Sequence, residues 1–182
     1  MALGSNMGSS AGNPGQTLAA ALVALGRTQL QLRRVSRFFS TPCFPPGAGP
    51  DYVNAAATLS GALNPADVLK ILHDVEASFG RERTERWGMR SLDLDLIAAG
   101  PAICPDLVTF ESWRHLDPAQ QRRRAPDRMI LPHPRLQDRA FVLVPLADIA
   151  ADWRHPVLNS TVVQMCAALA PEARQEVVPL QQ

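Results

Sequence analysis

Apolar and polar positions alternate strictly over Leu92-Asp93-Leu94-Asp95-Leu96-Ile97. Successive side chains of a strand point to opposite faces. The pattern therefore predicts a strand over 92–97 with Leu92, Leu94 and Leu96 on the core side and Asp93 and Asp95 together on the other. Met1 to Gly4 reads as the end of a first strand, stopped at Gly4-Ser5-Asn6 and followed by a loop rich in Gly, Ser and Asn. A helix then opens at Pro14, with Leu18, Leu22 and Leu25 on one face, and ends at Gly26. Gln29 to Ser40 alternates as one strand through Leu30, Leu32 and Val35. Thr41 to Pro50 holds four prolines and two glycines and cannot be regular structure. Asp51 to Gly61 predicts a strand with Tyr52, Asn54 and Ala56 on one face and Val53, Ala55 and Ala57 on the other. Asn64-Pro65 caps a helix whose buried stripe is Val68, Leu69, Leu72, Val75 and Phe79. His73 and Glu76, three apart, share one side of it.

Beyond Gly100 the text changes. Cys104 to Asp127 is polar and irregular, with a short helix around Pro118 to Arg124, and reads as an inserted flap too small to hold its own core. Leu131-Pro132-His133-Pro134-Arg135 holds a histidine stiffly between two prolines. Asp138 is expected to cap a helix from Arg139 to about Ile149. Thr161 to Leu169 reads as the last helix and Glu176 to Leu180 as an edge strand. Strand, helix, strand, strand, helix, strand over the first 99 residues is the ferredoxin-like order. The expected fold is α+β, an antiparallel sheet with helices on both faces in an α/β/α sandwich. The 182 residues form one domain, 1–182, interrupted only by the flap at about 104–127.

Charge and composition narrow the function. The net charge of +1 offers no whole-molecule field for nucleic acid, and the Arg122-Arg123-Arg124 run lacks the interleaved aromatics of a strand-binding surface. Cys43, Cys104 and Cys166 are widely spaced, with no CxxC pair, which fits a reducing, cytoplasmic setting better than a disulfide framework. No apolar run is long enough to span a membrane.

The chemistry concentrates where Gly80 to Arg90 runs into the aspartate strand. Arg81, Arg83, Arg86 and Arg90 against Glu82 and Glu85 leave this stretch at +2. Arginine forks suit phosphate oxygens, and Trp87 offers a flat apolar face. Asp93 and Asp95, with Cβ atoms roughly 7 Å apart at ~3.3 Å per residue, repel each other unless a cation lies between them. Hard ions such as Mg²⁺ take such carboxylates together with substrate phosphates. Each signal alone has a plainer reading, a solvated turn and an exposed edge strand. Adjacent and in this order, they point to a metal-held polyphosphate under a basic loop that closes over it. Asn54 within a strand suits recognition of a heterocycle edge, and Tyr52 is the only tyrosine.

Gly4-Ser5-Asn6, Thr41-Pro42, Asp51-Tyr52-Val53-Asn54-Ala55-Ala56, Arg86-Trp87-Gly88-Met89-Arg90-Ser91-Leu92-Asp93-Leu94-Asp95 and Pro132-His133-Pro134-Arg135 with Arg139-Ala140-Phe141 occur in that order. Together they closely resemble the 6-hydroxymethyl-7,8-dihydropterin pyrophosphokinases of folate synthesis, over nearly the whole chain. The Arg-Trp-Gly to Asp-Leu-Asp stretch is the specific part. The resemblance implies transfer of the β,γ-diphosphate of ATP to the pterin hydroxymethyl group, releasing AMP, with two Mg²⁺ held by Asp93 and Asp95. It implies a pterin ring between Tyr52 and Phe141, its edge read by Asn54, with Thr41, Pro42, Phe44 and Trp87 around it. Arg81, Arg83, Arg86 and Arg90 would engage phosphates, Arg81 and Arg90 in catalysis. Trp87, His73, Glu76, Leu96, Arg128, Ile130, His133 and Arg139 fall at nucleotide-side positions. It implies a monomer whose partners are these small molecules, with no nucleic acid and no membrane. The chain departs from the family pattern in starting its first strand at Met1, in the length of the 104–127 segment, and in His73, where a glutamine is expected.

Overall fold

The computed structural model describes residues 1–43, 47, 49–80 and 91–181. Its strands and helices follow in the order β1 (Ala2–Ser5), α1 (Pro14–Leu25), β2 (Gln31–Val35), β3 (Phe39–Thr41), β4 (Tyr52–Ser60), α2 (Pro65–Ser78), β5 (Asp93–Asp95), α3 (Leu107–Arg114), α4 (Pro118–Arg123), α5 (Ala140–Ala150), α6 (Val162–Ala168), α7 (Pro171–Gln175) and β6 (Val178–Pro179).

Nine-residue β4 is the spine of the sheet, because its neighbours all pair with it or through it. Strand order is β5-β1-β4-β3-β6, with β2 also on β4, and every pairing is antiparallel. Period-2 alternation sorts β4 as its sequence predicts. Ala55 and Ala57, with Val53 beside them, pack with Leu18, Leu25, Leu72 and Val75 from α1 and α2. Ala56 faces the opposite way, toward Val142, Leu143 and Leu146 of α5 and Val162 of α6. Helices thus cover both faces, and the expected sandwich is the fold found. Helix α1 starts on a capping box between Asn13 and Gln16, and α2 on the Asn64 side chain, each satisfying amides that a helix start leaves open.

Five local expectations change. The single strand over 29–40 is two, β2 and β3. A bulge lies between Leu32 and Arg34, and at Ser36 the side-chain hydroxyl, not a carbonyl, accepts the Ala56 amide at 2.9 Å. A serine side chain in place of a ladder acceptor breaks the strand without any glycine or proline. The 92–97 strand is only Asp93–Asp95, paired with Gly4 to Ala2 of β1. Beyond it the Ile97 carbonyl accepts the His133 amide instead, at 2.7 Å. Asp138 does not cap α5. It ends a 3₁₀ turn over Leu136–Asp138 and turns its carboxylate to Arg135 at 2.8 Å, so Arg139 takes the cap position with no side-chain bond. The 104–127 stretch carries α3 as well as the expected short helix, and α3 inserts a fully buried Phe110. Finally, α6 is not the last helix, since α7 follows it.

Candidate active site

Sheet register builds the site. Asn54 of β4 pairs with Phe39 of β3 on one side and Gly4 of β1 on the other, and Gly4 pairs with Asp93 of β5. Residues directly opposite one another share a face, so these four form one row across the sheet. At ~4.8 Å between strands, the backbones of Asn54 and Asp93 lie about 10 Å apart. Asp95, Ala2 and Ala56 form the next row on the same face. Tyr52, opposite Thr41, stands two residues from Asn54 the other way. The predicted faces are therefore the observed ones. Leu92 and Leu94 are buried among the α1 and α2 residues, while Asp93 and Asp95 are half-buried on the other side.

The polar side chains around this face are held. Asn54 is buried, and its Nδ2 donates to Thr41 Oγ1 at 2.7 Å. The Ser5 hydroxyl donates to the Ser91 carbonyl, tying the end of β1 to the residues just before β5. His133 closes one side. Its Nδ1 accepts the Arg135 amide at 3.1 Å, so the neutral ring carries its proton on Nε2. Burial first, and then the Arg139 guanidinium, push its pKa down to about 3, with the Asp93 carboxylate acting weakly the other way. Arg139 also lies over the Phe141 ring, 5.7 Å from its centroid, and Phe141 remains 40% exposed at the start of α5. His133, Arg139, Phe141 and Asp93 are thus brought to one end of the site.

Other candidates stand elsewhere. Glu76 is buried under β5, where its Oε1 accepts the Leu94 amide at 2.6 Å. Leu96 packs with the α1 and α2 cluster, His73 is half-buried on α2, Ile130 is buried, and Arg128 is exposed beside Asp127. Pro42 is exposed next to Thr41. Phe44, Arg81, Arg83, Arg86, Trp87 and Arg90 lie outside the described residues. Cavities of about 180 and 600 Å³ occur near Trp153 and near Gln164, and neither is lined by Asp93, Asp95, Asn54 or Tyr52.

Among the described residues no third His, Cys, Asp or Glu joins the two aspartates in a cluster. Two half-buried carboxylates on one strand are too few for a closed structural metal site. They suit Mg²⁺, which takes one or two carboxylates and completes its shell with water and substrate phosphate.

Residues 1–151 match the family described as 7,8-dihydro-6-hydroxymethylpterin-pyrophosphokinase. The chain belongs to this pyrophosphokinase family. It is 36% identical over 176 residues to the Synechocystis 2-amino-4-hydroxy-6-hydroxymethyldihydropteridine pyrophosphokinase, covering 94% of this chain and 78% of that one. It is 34% identical over 164 residues to the Haemophilus influenzae protein of that name, covering 90% and 86%. For the Pseudomonas aeruginosa protein the figures are 36% over 157 residues, 86% and 82%. Membership in the family makes the chain an ATP-using transferase that moves a pyrophosphoryl group to hydroxymethyldihydropterin in folate biosynthesis.

Two residues named in the sequence reading shape this site in ways the sequence does not show. Gly4 reads as the stop of a strand and part of the Gly4-Ser5-Asn6 motif, although a glycine inside a strand also signals close approach by a neighbour. Glu76 carries no sequence signal for its bond to β5, because that bond depends on where α2 docks.

Proposed function

We propose that this face performs the pyrophosphokinase reaction with Asp93 and Asp95 as the holders of two Mg²⁺ and with the pterin bound two strands away. The observation that carries the reading is the shared row, which sets Asn54 and Asp93 on one face about 10 Å apart across Gly4. Asn54, held by Thr41, presents a fixed carboxamide to the edge of the pterin. Tyr52 and Phe141 flank the ring, with Pro42, Phe44 and Trp87 around it. The nucleotide lies toward His133 and Arg139 at the β5 edge, with Arg128 and Ile130 on its side and His73, Glu76 and Leu96 on the α2 side of that strand. Arg81, Arg83, Arg86 and Arg90 engage its phosphates.

Transfer of the β,γ-diphosphate requires the pterin hydroxymethyl oxygen to attack the β-phosphorus. The bond from that phosphorus to the α-phosphate oxygen breaks, and AMP leaves. Such a transfer needs alignment and charge neutralisation and no covalent nucleophile. Mg²⁺, when bound, supplies the neutralising charge on the phosphates. Asn54 and the two rings fix the acceptor. His133, kept neutral, offers an Nε2–H donor without adding charge. Arg139 remains cationic beside it. The chain acts as a monomer in the cytoplasm.

The test is product analysis after incubation with Mg-ATP and 6-hydroxymethyl-7,8-dihydropterin. AMP together with the pterin diphosphate is the expected result. ADP would mean transfer of a single phosphoryl group, and no turnover would leave a pterin- or nucleotide-binding relative.

A further inference from the structure

Gly4 has an ordinary strand backbone, since its φ is not among the positive ones, so its lack of a side chain is not explained by conformation. Space explains it. A Cβ built at Gly4 would come within 2.9 Å of Asn54 Oδ1, closer than carbon and oxygen pack. The same strand carries a methyl on the same face at Ala2, whose partners are Ala56 and Asp95. What differs at position 4 is the carboxamide next door. Asn54 is 6% exposed and tethered through Nδ2 to Thr41, so its Oδ1 rests over the bare backbone of Gly4. A side chain there would move Oδ1 and strain the bond to Thr41.

We propose that Gly4 is a positioning residue for the pterin: it leaves the gap that lets Asn54 hold its carboxamide over β1, between Thr41 and Asp93. Gly4 touches neither substrate nor metal in this role and acts through Asn54 alone. The proposal rests on the assignment of Asn54 to the pterin edge. Displacing one buried polar partner changes affinity by about tenfold or more. The loss falls on the pterin more than on ATP, because although Gly4 pairs with Asp93 through the backbone, a Cβ at position 4 meets Asn54 Oδ1 and no other described side chain within 4 Å.

A double-mutant cycle tests this. KM for the pterin and for Mg-ATP is measured for the native protein, Gly4→Ala, Asn54→Ala and the double variant. The side-chain amide resonances of Asn54 are followed by NMR in Gly4→Ala. Gly4→Ala should raise the pterin KM about tenfold, leave the ATP KM nearly unchanged, and shift the Asn54 amide resonances. In the Asn54→Ala background the same change should cost almost nothing. An equal cost in both backgrounds, or an unmoved Asn54 resonance, overturns the proposal. Should Gly4→Ala not fold, a double variant that folds and matches Asn54→Ala supports it, and a double variant that also fails overturns it. If Asn54→Ala binds pterin normally, the assignment of Asn54 falls, and the proposal with it. That outcome differs from a loss in Asn54→Ala with none in Gly4→Ala, which overturns only the role of Gly4.

Discussion

Glu76 of α2 accepts the backbone amide of Leu94 at 2.6 Å, gripping the aspartate strand from its outer edge. Among the described residues β5 pairs with β1 on one side only, so the Leu94 amide would there otherwise lack a strand partner. A carboxylate on a well-packed helix supplies the acceptor, at the residue between Asp93 and Asp95. The edge is covered against foreign pairing, and the two carboxylates proposed to hold Mg²⁺ are backed from behind.

Glu76→Leu should therefore act at a distance. Removing the acceptor leaves a buried amide unsatisfied, a cost of about 1–3 kcal/mol, visible as a lower melting temperature. It should also raise the Mg²⁺ concentration needed for half-maximal AMP release, since the strand bearing both aspartates loses its anchor. Glu76→Gln keeps an oxygen acceptor and should recover most of both losses. Equal damage from both variants would show that the negative charge, not the bond to Leu94, is what matters.

Asp93 and Asp95 should separate from Leu94 in the opposite sense. Without metal the two carboxylates repel, so Asp95→Asn should leave the melting temperature unchanged or slightly higher. Turnover should fall at least about 100-fold, about 2.7 kcal/mol of transition-state stabilisation, and Asp93→Asn should behave alike. Leu94 is 1% exposed, so Leu94→Asn should destabilise by about 2–4 kcal/mol while the folded fraction keeps its metal response. Melting curves with AMP release decide between these. Early unfolding of the aspartate variants would contradict the assignment of the strand's faces.

Most of this arrangement is written in the sequence. Alternation of Leu92 to Leu96 and of Tyr52 to Ala57 sorts the two faces of each strand correctly, while the register through Gly4 is what brings Asn54 and the aspartates onto one face. Helix α1 and the Asn64 cap are equally plain. Two of the misreadings share one cause, an amide that finds its acceptor far along the chain: Ser36 takes an amide from β4, and Ile97 takes one from His133. Asp138 is a local case, turning to Arg135 three residues before it instead of capping α5. Hydrophobic periodicity records which face is buried and says nothing about such bonds. Phe110 was missed for a related reason, being one large apolar residue in a polar stretch.

That residue changes what removing the 104–127 segment should do. Polar composition predicts a flap that a short linker could replace with little loss, as loop length alone costs only ~0.6 kcal/mol per doubling. Yet Phe110 is fully buried, with its ring centroid 5.6 Å from that of His155, and Cys104 bridges to Leu131 just ahead of His133. Phe110→Ala should destabilise by about 3–5 kcal/mol in denaturant titration. A loss below about 1 kcal/mol would return the segment to the status of a removable flap.

Acid should expose the same docking. His155 is fully buried between Phe110 and Trp153, and its Nδ1 accepts the amides of Val157 and Leu158. Burial, and then the Arg114 guanidinium, push its pKa down to about 4, with Glu111 opposing. His133 is pushed down further, to about 3. Unfolded, both rings take up a proton near their ordinary 6.5. Between pH 6.5 and 4 the unfolded chain therefore binds more protons than the folded one, and stability rises with pH across that window. Asp106 and Asp148 are shifted below their ordinary 3.8 by Thr109 and Arg37 respectively, so their contributions are lost only at more acid pH. Melting temperature should thus fall steadily from pH 7 to pH 4.5, before these carboxylates titrate. His155→Gln should flatten part of that slope, even though it lowers stability at neutral pH. A native curve flat across the window, or a His155→Gln curve parallel to the native one, would mean that His155 already binds its proton in the fold.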